Sequence, residues 1–262
     1  MSELSPPAVL VELLPDHIAL VTLNRPAARN AVNGDVATGL QAAIDQTETD
    51  NDIWVVILTG VGSEAFCAGA DLKAVSAGRG TELRTERSGF AGFVNATRTK
   101  PWIAAVNGPA LAGGCEIVLA CDLVVAVPGA RFGLPEVKRG LVAAAGGLYR
   151  LPRALPPAIA REMILTGEPI SAERAHQLGM VNQLAPADQL LAAAKALAAR
   201  ITVNAPVAVR ASLGVTRQAL DLSDAELQNL SGVAQQQVMA SEDYQEGPRA
   251  FIEKRAPRWT GR

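Results

Sequence analysis

The chain has 262 residues, of which 49% are hydrophobic and 19% are charged, and its formal net charge is −2. This composition predicts a globular protein with a large buried core, and the absence of a basic run argues against a nucleic-acid or anionic-membrane partner. Three cysteines without metal-ligand spacing favour a reducing cytoplasm, and two histidines are too few for a histidine-rich metal site.

The first half of the chain alternates strand-like and helix-like segments. Its start lacks the basic and apolar regions of a signal peptide, and no apolar run is long enough to span a bilayer. Residues 9–14 and 17–23 are rich in β-branched side chains and predict a hairpin. Residues 34–49 have helical spacing. Continuous apolar runs that end in glycine predict strands buried on both faces, at residues 53–60, 102–108 and 122–129.

After about residue 150 the chain becomes largely helix-like. Ser223 and Glu226 have the spacing of a capping box at the start of one such helix. Strands that alternate with helices, followed by a helical region, predict an α/β fold rather than a sandwich or a bundle.

One glycine pattern resembles a dinucleotide-binding turn but lacks the helix that should follow it. Residues 60–65, GVGSEA, follow a predicted strand and match the glycine pattern of a dinucleotide-binding turn. The next residues, FCAGADL, are small and interrupt the helix that this motif requires. The sequence therefore disfavours a nicotinamide or flavin site.

Residues 110–116, ALAGGCE, place two glycines and a carboxylate in apolar surroundings. A helix that begins near Gly113 presents unpaired backbone N–H groups, and glycine allows a ligand to approach closely. Such a helix start can stabilise an oxyanion, with Glu116 in its first turn. A structural alternative stays open, in which the glycines pack the helix against a neighbour and Glu116 complements the helix dipole.

Two further segments bear on this site. The turn after the strand in residues 123–127 sends RFGLPEVKRG back past the helix start, so that Glu136 is expected to face Glu116 across a pocket. Two buried carboxylates have raised pKa values and suit acid/base chemistry. Residues 66–73, FCAGADLK, form a turn that offers a second oxyanion donor, or simply a tight turn before a helix that Asp71 caps.

These motifs together resemble the crotonase, or enoyl-CoA hydratase/isomerase, superfamily. The resemblance runs from NRPAARNAV through FCAGADLK, KPWIAAVNGPALAGGCE and RFGLPEVKRG to SEDYQEGPRAFIEKR, and is closest to bacterial enoyl-CoA hydratases. LPPAIAREMILTG and the C-terminal residues are also similar to carnitinyl-CoA dehydratase. The resemblance implies a spiral of ββα units in residues 1–200. It further implies a C-terminal helical region in residues 201–262 that makes a homotrimer, or a hexamer built as a dimer of trimers.

The resemblance also implies the activity and the site. The expected reaction is addition of water across the 2,3 double bond of an enoyl-CoA thioester, without a cofactor, because coenzyme A is part of the substrate. The expected residues are the oxyanion donors Ala70 and Gly113, the catalytic pair Glu116 and Glu136, and coenzyme A contacts from Ala68, Lys73 and a neighbouring subunit's Phe251 and Lys254. Open alternatives are a carnitinyl-CoA-type dehydratase, an isomerase that uses Glu136 alone, and an acyl-CoA-binding protein without turnover.

The chain departs from the superfamily pattern near the predicted acyl pocket. Ala112 replaces the first of three glycines, which is not expected to disturb the turn. Ala143 replaces a proline and Ala144 replaces glycine or aspartate, so the resemblance does not fix the pocket's shape. Residues 74–100 are expected to form the variable wall of that pocket, or alternatively a solvated helix and loop.

Overall fold

The computed structural model describes residues 6–262. Eleven strands lie in this part of the chain: β1 (Val9–Leu14), β2 (Ile18–Leu23), β3 (Val55–Gly60), β4 (Arg84–Thr85), β5 (Gly89–Phe90), β6 (Trp102–Val106), β7 (Ala110–Leu111), β8 (Leu123–Ala126), β9 (Arg131–Gly133), β10 (Ile170–Ser171) and β11 (Gln183–Leu184). Its ten α-helices are α1 (Gly34–Thr49), α2 (Leu72–Ser76), α3 (Gly113–Leu119), α4 (Gly147–Ala154), α5 (Pro157–Thr166), α6 (Ala172–Gln177), α7 (Leu190–Thr202), α8 (Pro206–Thr216), α9 (Asp224–Met239) and α10 (Glu242–Glu253).

The main sheet has six strands in the order β1-β2-β3-β6-β8-β11. The predicted hairpin is confirmed, because β1 and β2 pair antiparallel around a turn in which Asp16 and His17 both have positive φ. The remaining neighbours pair parallel. β6 is buried along its whole length, which explains its continuous apolar sequence. The predicted helix at residues 34–49 is also confirmed as α1.

A smaller sheet, in the order β10-β9-β7, positions the chain around the predicted site. β7 pairs parallel with β9, with Ala110 opposite Phe132 and Leu111 opposite Gly133. β7 leads almost directly into α3, and β9 leads into a 3-10 helix at Pro135–Arg139. Pairing of β7 with β9 therefore brings the segments that carry Glu116 and Glu136 to one place.

The C-terminal region is mainly helical, as predicted. The capping box of α9 is present, because the Ser223 side chain accepts from the Glu226 N–H and the Glu226 carboxylate accepts from the Ser223 N–H. No residue of α9 is buried, and its main packing partner is α8. Helix α7, which packs on the main sheet, spans the predicted division between residues 200 and 201. That division stays a prediction.

Two features of residues 6–262 concern membrane spans and metal ions. In this range no single helix is long and apolar enough to cross a membrane. One pair of helices, residues 187–202 and 206–216, is long and apolar enough only when taken together, and the pair is bent by 103°. In the same range, no three or more His, Cys, Asp or Glu side chains are grouped so that they could hold a metal ion.

Candidate active site

A cavity of about 360 Å³ contains the residues that the sequence singled out. Its wall includes Ala70 from the loop before α2, Gly113 and Glu116 from α3, and Glu136 from the 3-10 helix after β9. Ala68 also lines it. The predicted meeting of the two carboxylates in one pocket is confirmed by this shared wall.

Two backbone N–H groups in the cavity wall are free to bind a ligand. Within residues 6–262, the N–H groups of Ala70 and Gly113 donate no hydrogen bond. Their segments are in close contact, because a Cβ on Gly69 would lie only 3.1 Å from the Gly113 nitrogen. Gly69 has a φ of +91°, which favours glycine. Two free donors side by side at a cavity wall are the arrangement that stabilises an oxyanion.

Asp71 fixes the loop that carries the Ala70 N–H. Its Oδ1 accepts from the Lys73 N–H at 3.0 Å, and so caps α2, while its Oδ2 accepts from Arg25 Nη2 at 2.9 Å. Burial opposes ionisation, but the hydrogen bonds from Arg25 and the α2 N–H groups hold the pKa of Asp71 below its usual value. The turn before α2 therefore combines both predicted features, because Asp71 caps the helix and holds the adjacent Ala70 N–H in place.

Both glycines at the start of α3 are closely packed, Gly113 against a side chain and Gly114 against backbone. A Cβ on Gly113 would lie 2.4 Å from Phe90 Cε1, and a Cβ on Gly114 would lie 2.0 Å from the Cys67 carbonyl oxygen. The structural alternative for this motif is thus correct for the glycines. It is compatible with an oxyanion site, since close packing against Cys67 holds α3 beside the Ala70 loop.

Ala112 adopts a backbone conformation that favours glycine. Its φ is 51° and its ψ is −128°, directly before α3. The turn is retained, as expected, but a residue with a Cβ stores about 1–3 kcal/mol of strain in such a conformation. Ala112→Gly is expected to raise the free energy of unfolding by about 1 kcal/mol, because relief of strain exceeds the extra entropy of an unfolded glycine. Urea denaturation measures this change, and a destabilised variant would contradict it.

Glu116 is buried and its protonation is set by its surroundings. Its side chain is 3% exposed, and Oε1 accepts from the Gly147 N–H at 2.9 Å. Burial raises its pKa to about 7; the Gly147 N–H opposes this shift and the nearby Glu136 adds to it. Near neutral pH the carboxyl group can therefore accept or release a proton.

The raised pKa of Glu116 predicts a pH-dependent cost in stability. The unfolded chain ionises this carboxyl group near pH 4.5 and the folded chain only near 7, so folding loses stability as pH rises between these values. Glu116→Gln removes the cost. Its free energy of unfolding is expected to exceed that of the wild type by about 2 kcal/mol at pH 8, and by much less at pH 5. Equal differences at both pH values in urea denaturation would contradict this expectation.

Glu136 presents an unpaired oxygen to the site. Within residues 6–262 its buried Oε2 has no hydrogen-bond partner. Burial raises its pKa, against the effects of its own backbone N–H and of Arg139. A buried carboxyl oxygen without a protein partner is expected to bind a proton, water or substrate.

The remaining predicted residues lie outside the cavity wall. Lys73 is exposed on α2, Phe251 is 85% exposed on α10, and Lys254 is exposed at the end of α10. None of them lines the cavity in its own chain. Their contacts with coenzyme A therefore stay predictions.

Residues 74–100 were predicted to form either a wall of the acyl pocket or a solvated helix and loop, and each alternative holds for part of the segment. Leu83, Arg84 and Phe90 line the cavity, so the β4–β5 hairpin and the residue before it form a wall as predicted. Residues 75–79 are exposed, as in a solvated helix and loop. The GVGSEA segment leads to α2 only after an irregular stretch, which agrees with the exclusion of a dinucleotide-binding turn.

Sequence reasoning missed one residue that holds the site together. Gly147 binds Glu116, and a Cβ there would lie 2.8 Å from both Ala143 Cβ and Leu134 Cδ1. The Gly146-Gly147 pair after a run of alanines was the available signal for a close approach.

Comparisons with known proteins identify relatives over nearly the whole chain. The family model for enoyl-CoA hydratase/isomerase matches residues 14–262. The chain is 41% identical to a carnitinyl-CoA dehydratase of Salmonella typhi, over 92% of this chain and 94% of that protein. It is also 41% identical to a mevalonyl-coenzyme A hydratase of Aspergillus fumigatus, over 95% and 94% of the two proteins.

Solved structures share the fold. An enoyl-CoA hydratase from Mycobacterium tuberculosis superimposes with a TM-score of 0.93 at 49% identity, over 98% of this chain and 100% of that one. A carnitinyl-CoA hydratase from Mycobacterium avium gives a TM-score of 0.78 at 46% identity, with the same coverage. The predicted crotonase-type fold is thereby confirmed. The chain belongs to the enoyl-CoA hydratase/isomerase family, and it is an enzyme of hydratase or dehydratase type that acts on CoA thioesters.

Proposed function

We propose that the protein is an enoyl-CoA hydratase, which reversibly adds water across the 2,3 double bond of an enoyl-CoA thioester to give a 3-hydroxyacyl-CoA. One observation carries this proposal. A single apolar cavity holds two free N–H donors and two carboxyl groups whose pKa values are both raised. This combination supplies what hydration of a conjugated thioester requires.

The N–H groups of Ala70 and Gly113 bind the thioester oxygen in the proposed mechanism. As water attacks the β-carbon, negative charge moves to this oxygen. Donors already fixed in place stabilise that charge without reorganisation, and one such donor typically contributes about 3 kcal/mol. Asp71 and Gly114 keep the two donors side by side.

The two carboxyl groups move the protons. Ionised Glu116 accepts a proton from the attacking water, whose oxygen bonds to the β-carbon, and protonated Glu136 delivers a proton to the α-carbon. After the reaction Glu116 is protonated and Glu136 is ionised. Proton transfer to and from solvent then restores the starting state. Because the two groups interact, their titration is a property of the pair.

The substrate supplies its own coenzyme A, so we propose no metal or redox cofactor. Coenzyme A is expected to contact Ala68 and Lys73, together with Phe251 and Lys254 of a neighbouring copy. The exposed Phe251 and Ile252, at 85% and 78%, support a trimer or hexamer in which α10 packs against that neighbour. Light scattering distinguishes these states from a monomer. A cytoplasmic location stays a prediction.

A carnitinyl-CoA-type dehydratase is the second candidate, because relatives with that name are 40–41% identical to this chain. The side chains that line the cavity favour the enoyl-CoA hydratase. Apart from the glutamate pair, the cavity's charged side chains in the described chain are Arg84 and Arg139, so no further carboxylate lines the cavity to hold the quaternary ammonium of a carnitinyl group. Phe90 is the one aromatic side chain there that can face such a cation.

Product analysis on three thioesters tests the proposal. Crotonyl-CoA, carnitinyl-CoA and a 3-enoyl-CoA are incubated separately with the purified protein. The products are separated, their masses are measured by mass spectrometry, and the conjugated thioester absorbance is recorded to detect a shifted double bond. We expect a gain of one water on crotonyl-CoA as the fastest reaction. Faster loss of water from carnitinyl-CoA would favour the second candidate, a shifted double bond would favour an isomerase, and binding without turnover would favour an acyl-CoA-binding protein.

A further inference from the structure

A second cavity, of about 530 Å³, lies at the other end of α3. The catalytic cavity is formed at the N-terminal end of this helix, whereas Leu119 and Ala120 at its C-terminal end line the second one. Residues 94–98, helix α4, and the end of α8 with the segment that follows it also line the cavity. The cavity is notable for charge, because four arginines and two aspartates line it: Arg98, Arg150, Arg153, Arg217, Asp122 and Asp221.

Two of the four arginines are neutralised by the aspartates. Arg217 donates from Nε and Nη2 to the two carboxylate oxygens of Asp122, at 2.8 and 2.7 Å. Arg153 donates from both terminal nitrogens to Asp221. Each carboxylate thus has a bidentate partner. The guanidinium groups of Arg98 and Arg150 are left without a carboxylate partner in the described chain.

Arg98 is a buried cation with incomplete hydrogen bonding. Its side chain is 9% exposed, and its Nη2 donates to the Ala120 carbonyl oxygen at the end of α3. Within residues 6–262, its buried Nε and Nη1 have no hydrogen-bond partner. The guanidinium carbon lies 4.0 Å from the centre of the Phe93 ring. This stacking is favourable, but it leaves two N–H donor groups unsatisfied.

Arg150 has only neutral partners. It donates from Nη1 to the Ala145 carbonyl oxygen at 3.3 Å and from Nη2 to the Val94 carbonyl oxygen at 2.6 Å. In the described chain it forms no ion pair. Burial lowers the pKa of Arg98; Asp122 opposes this shift, and the positive charges of Arg217 and Arg150 add to it. The cavity wall therefore carries two more guanidinium groups than carboxylates.

We propose that this cavity is a binding site for a small polyanion that carries phosphate or carboxylate groups, held by Arg98 and Arg150. Guanidinium groups bind both kinds of oxygen anion in a forked geometry. Arg98 Nε and Nη1 are shielded from solvent, so binding includes a rotation of this side chain, which exchanges stacking on Phe93 for ionic hydrogen bonds. The cavity volume accommodates an anion larger than a single phosphate.

Calorimetric titration of the full-length protein with pyrophosphate and, separately, with citrate tests the proposal. We expect saturable binding of at least one anion, weakened at least tenfold in both Arg98→Met and Arg150→Met. Methionine keeps the apolar stem of each side chain in place, and circular dichroism verifies folding. Arg174→Met is the matched control, because Arg174 is exposed on α6 and lies outside both cavities. Its affinity is expected to equal that of the wild type. A preference for pyrophosphate or for citrate identifies the anionic group.

Four outcomes would overturn the proposal. The first is no saturable binding of either anion to the wild type. The second is unchanged affinity in both arginine variants. The third is binding that Lys73→Met abolishes and the arginine variants retain, which would place the anion at the expected coenzyme A contact. The fourth is dissociation of an oligomer in Arg98→Met or Arg150→Met, which would show that a carboxylate of a second copy occupies the cavity.

Discussion

Glu116→Gln is expected to lower kcat for hydration of crotonyl-CoA by about 10²–10⁴-fold, the usual contribution of a general base. Glutamine has the same shape and keeps an oxygen that can accept from the Gly147 N–H, so the cavity is preserved. It cannot take a proton from water. KM is expected to change little, because the oxyanion donors still bind the substrate.

The control for this prediction is Glu64→Gln, which removes an exposed carboxylate outside the cavity. Its kcat is expected to match that of the wild type. The pH profile gives a second readout. In the wild type, kcat/KM should fall as pH drops through about 7, because protonation disables Glu116 as a base. Unimpaired turnover by Glu116→Gln would remove Glu116 from the mechanism.

Gly114→Ala is expected to lower kcat by about 10²–10³-fold, as loss of one oxyanion donor does. The added Cβ would lie 2.0 Å from the Cys67 carbonyl oxygen, so α3 must move away from the Ala70 loop. That movement separates the N–H groups of Gly113 and Ala70. The variant is also expected to be less stable, because the contact is with backbone rather than with a flexible side chain.

Gly214→Ala is the matched control for Gly114→Ala. Both glycines lie in helices, but a Cβ on Gly214 would meet nothing within 4 Å. This substitution is expected to leave kcat unchanged and to raise stability by about 1 kcal/mol, the difference in helix propensity. Full activity in Gly114→Ala, with its stability also unchanged, would show that the packing of α3 on Cys67 does not position the donors.

Local signals in the sequence predicted much of the fold. The β1–β2 hairpin, helix α1, the start of α3 at Gly113 and the α9 capping box each depend on neighbouring residues and are all confirmed. Strands β10 and β11 were not predicted. Each has two residues, which is too short for a recognisable pattern, and each exists because it pairs with β9 or β8.

The sequence predicted the residues of the site but not the tertiary contacts that hold them in place. Glu116 and Glu136 were expected to meet, and they line one cavity because β7 pairs with β9. The hydrogen bond from Gly147 to Glu116 joins residues 31 apart, so the Gly146-Gly147 pair could indicate a close approach but not its partner. The resemblance marked position 112 as a glycine position, but the positive φ that Ala112 keeps there was not predicted, since alanine is ordinarily placed in a helix or strand. Tertiary packing imposes both features.

The most direct test of the proposed reaction uses Glu136→Gln. Hydration of crotonyl-CoA is followed by loss of the conjugated thioester absorbance, and binding of butyryl-CoA, which cannot be hydrated, is measured by calorimetry on the same protein. We expect rapid loss of absorbance with the wild type. In Glu136→Gln we expect the hydration rate to fall by at least about 10²-fold, with affinity for butyryl-CoA retained. Equal hydration rates in the two proteins, or no hydration by a wild type that binds butyryl-CoA, would contradict it.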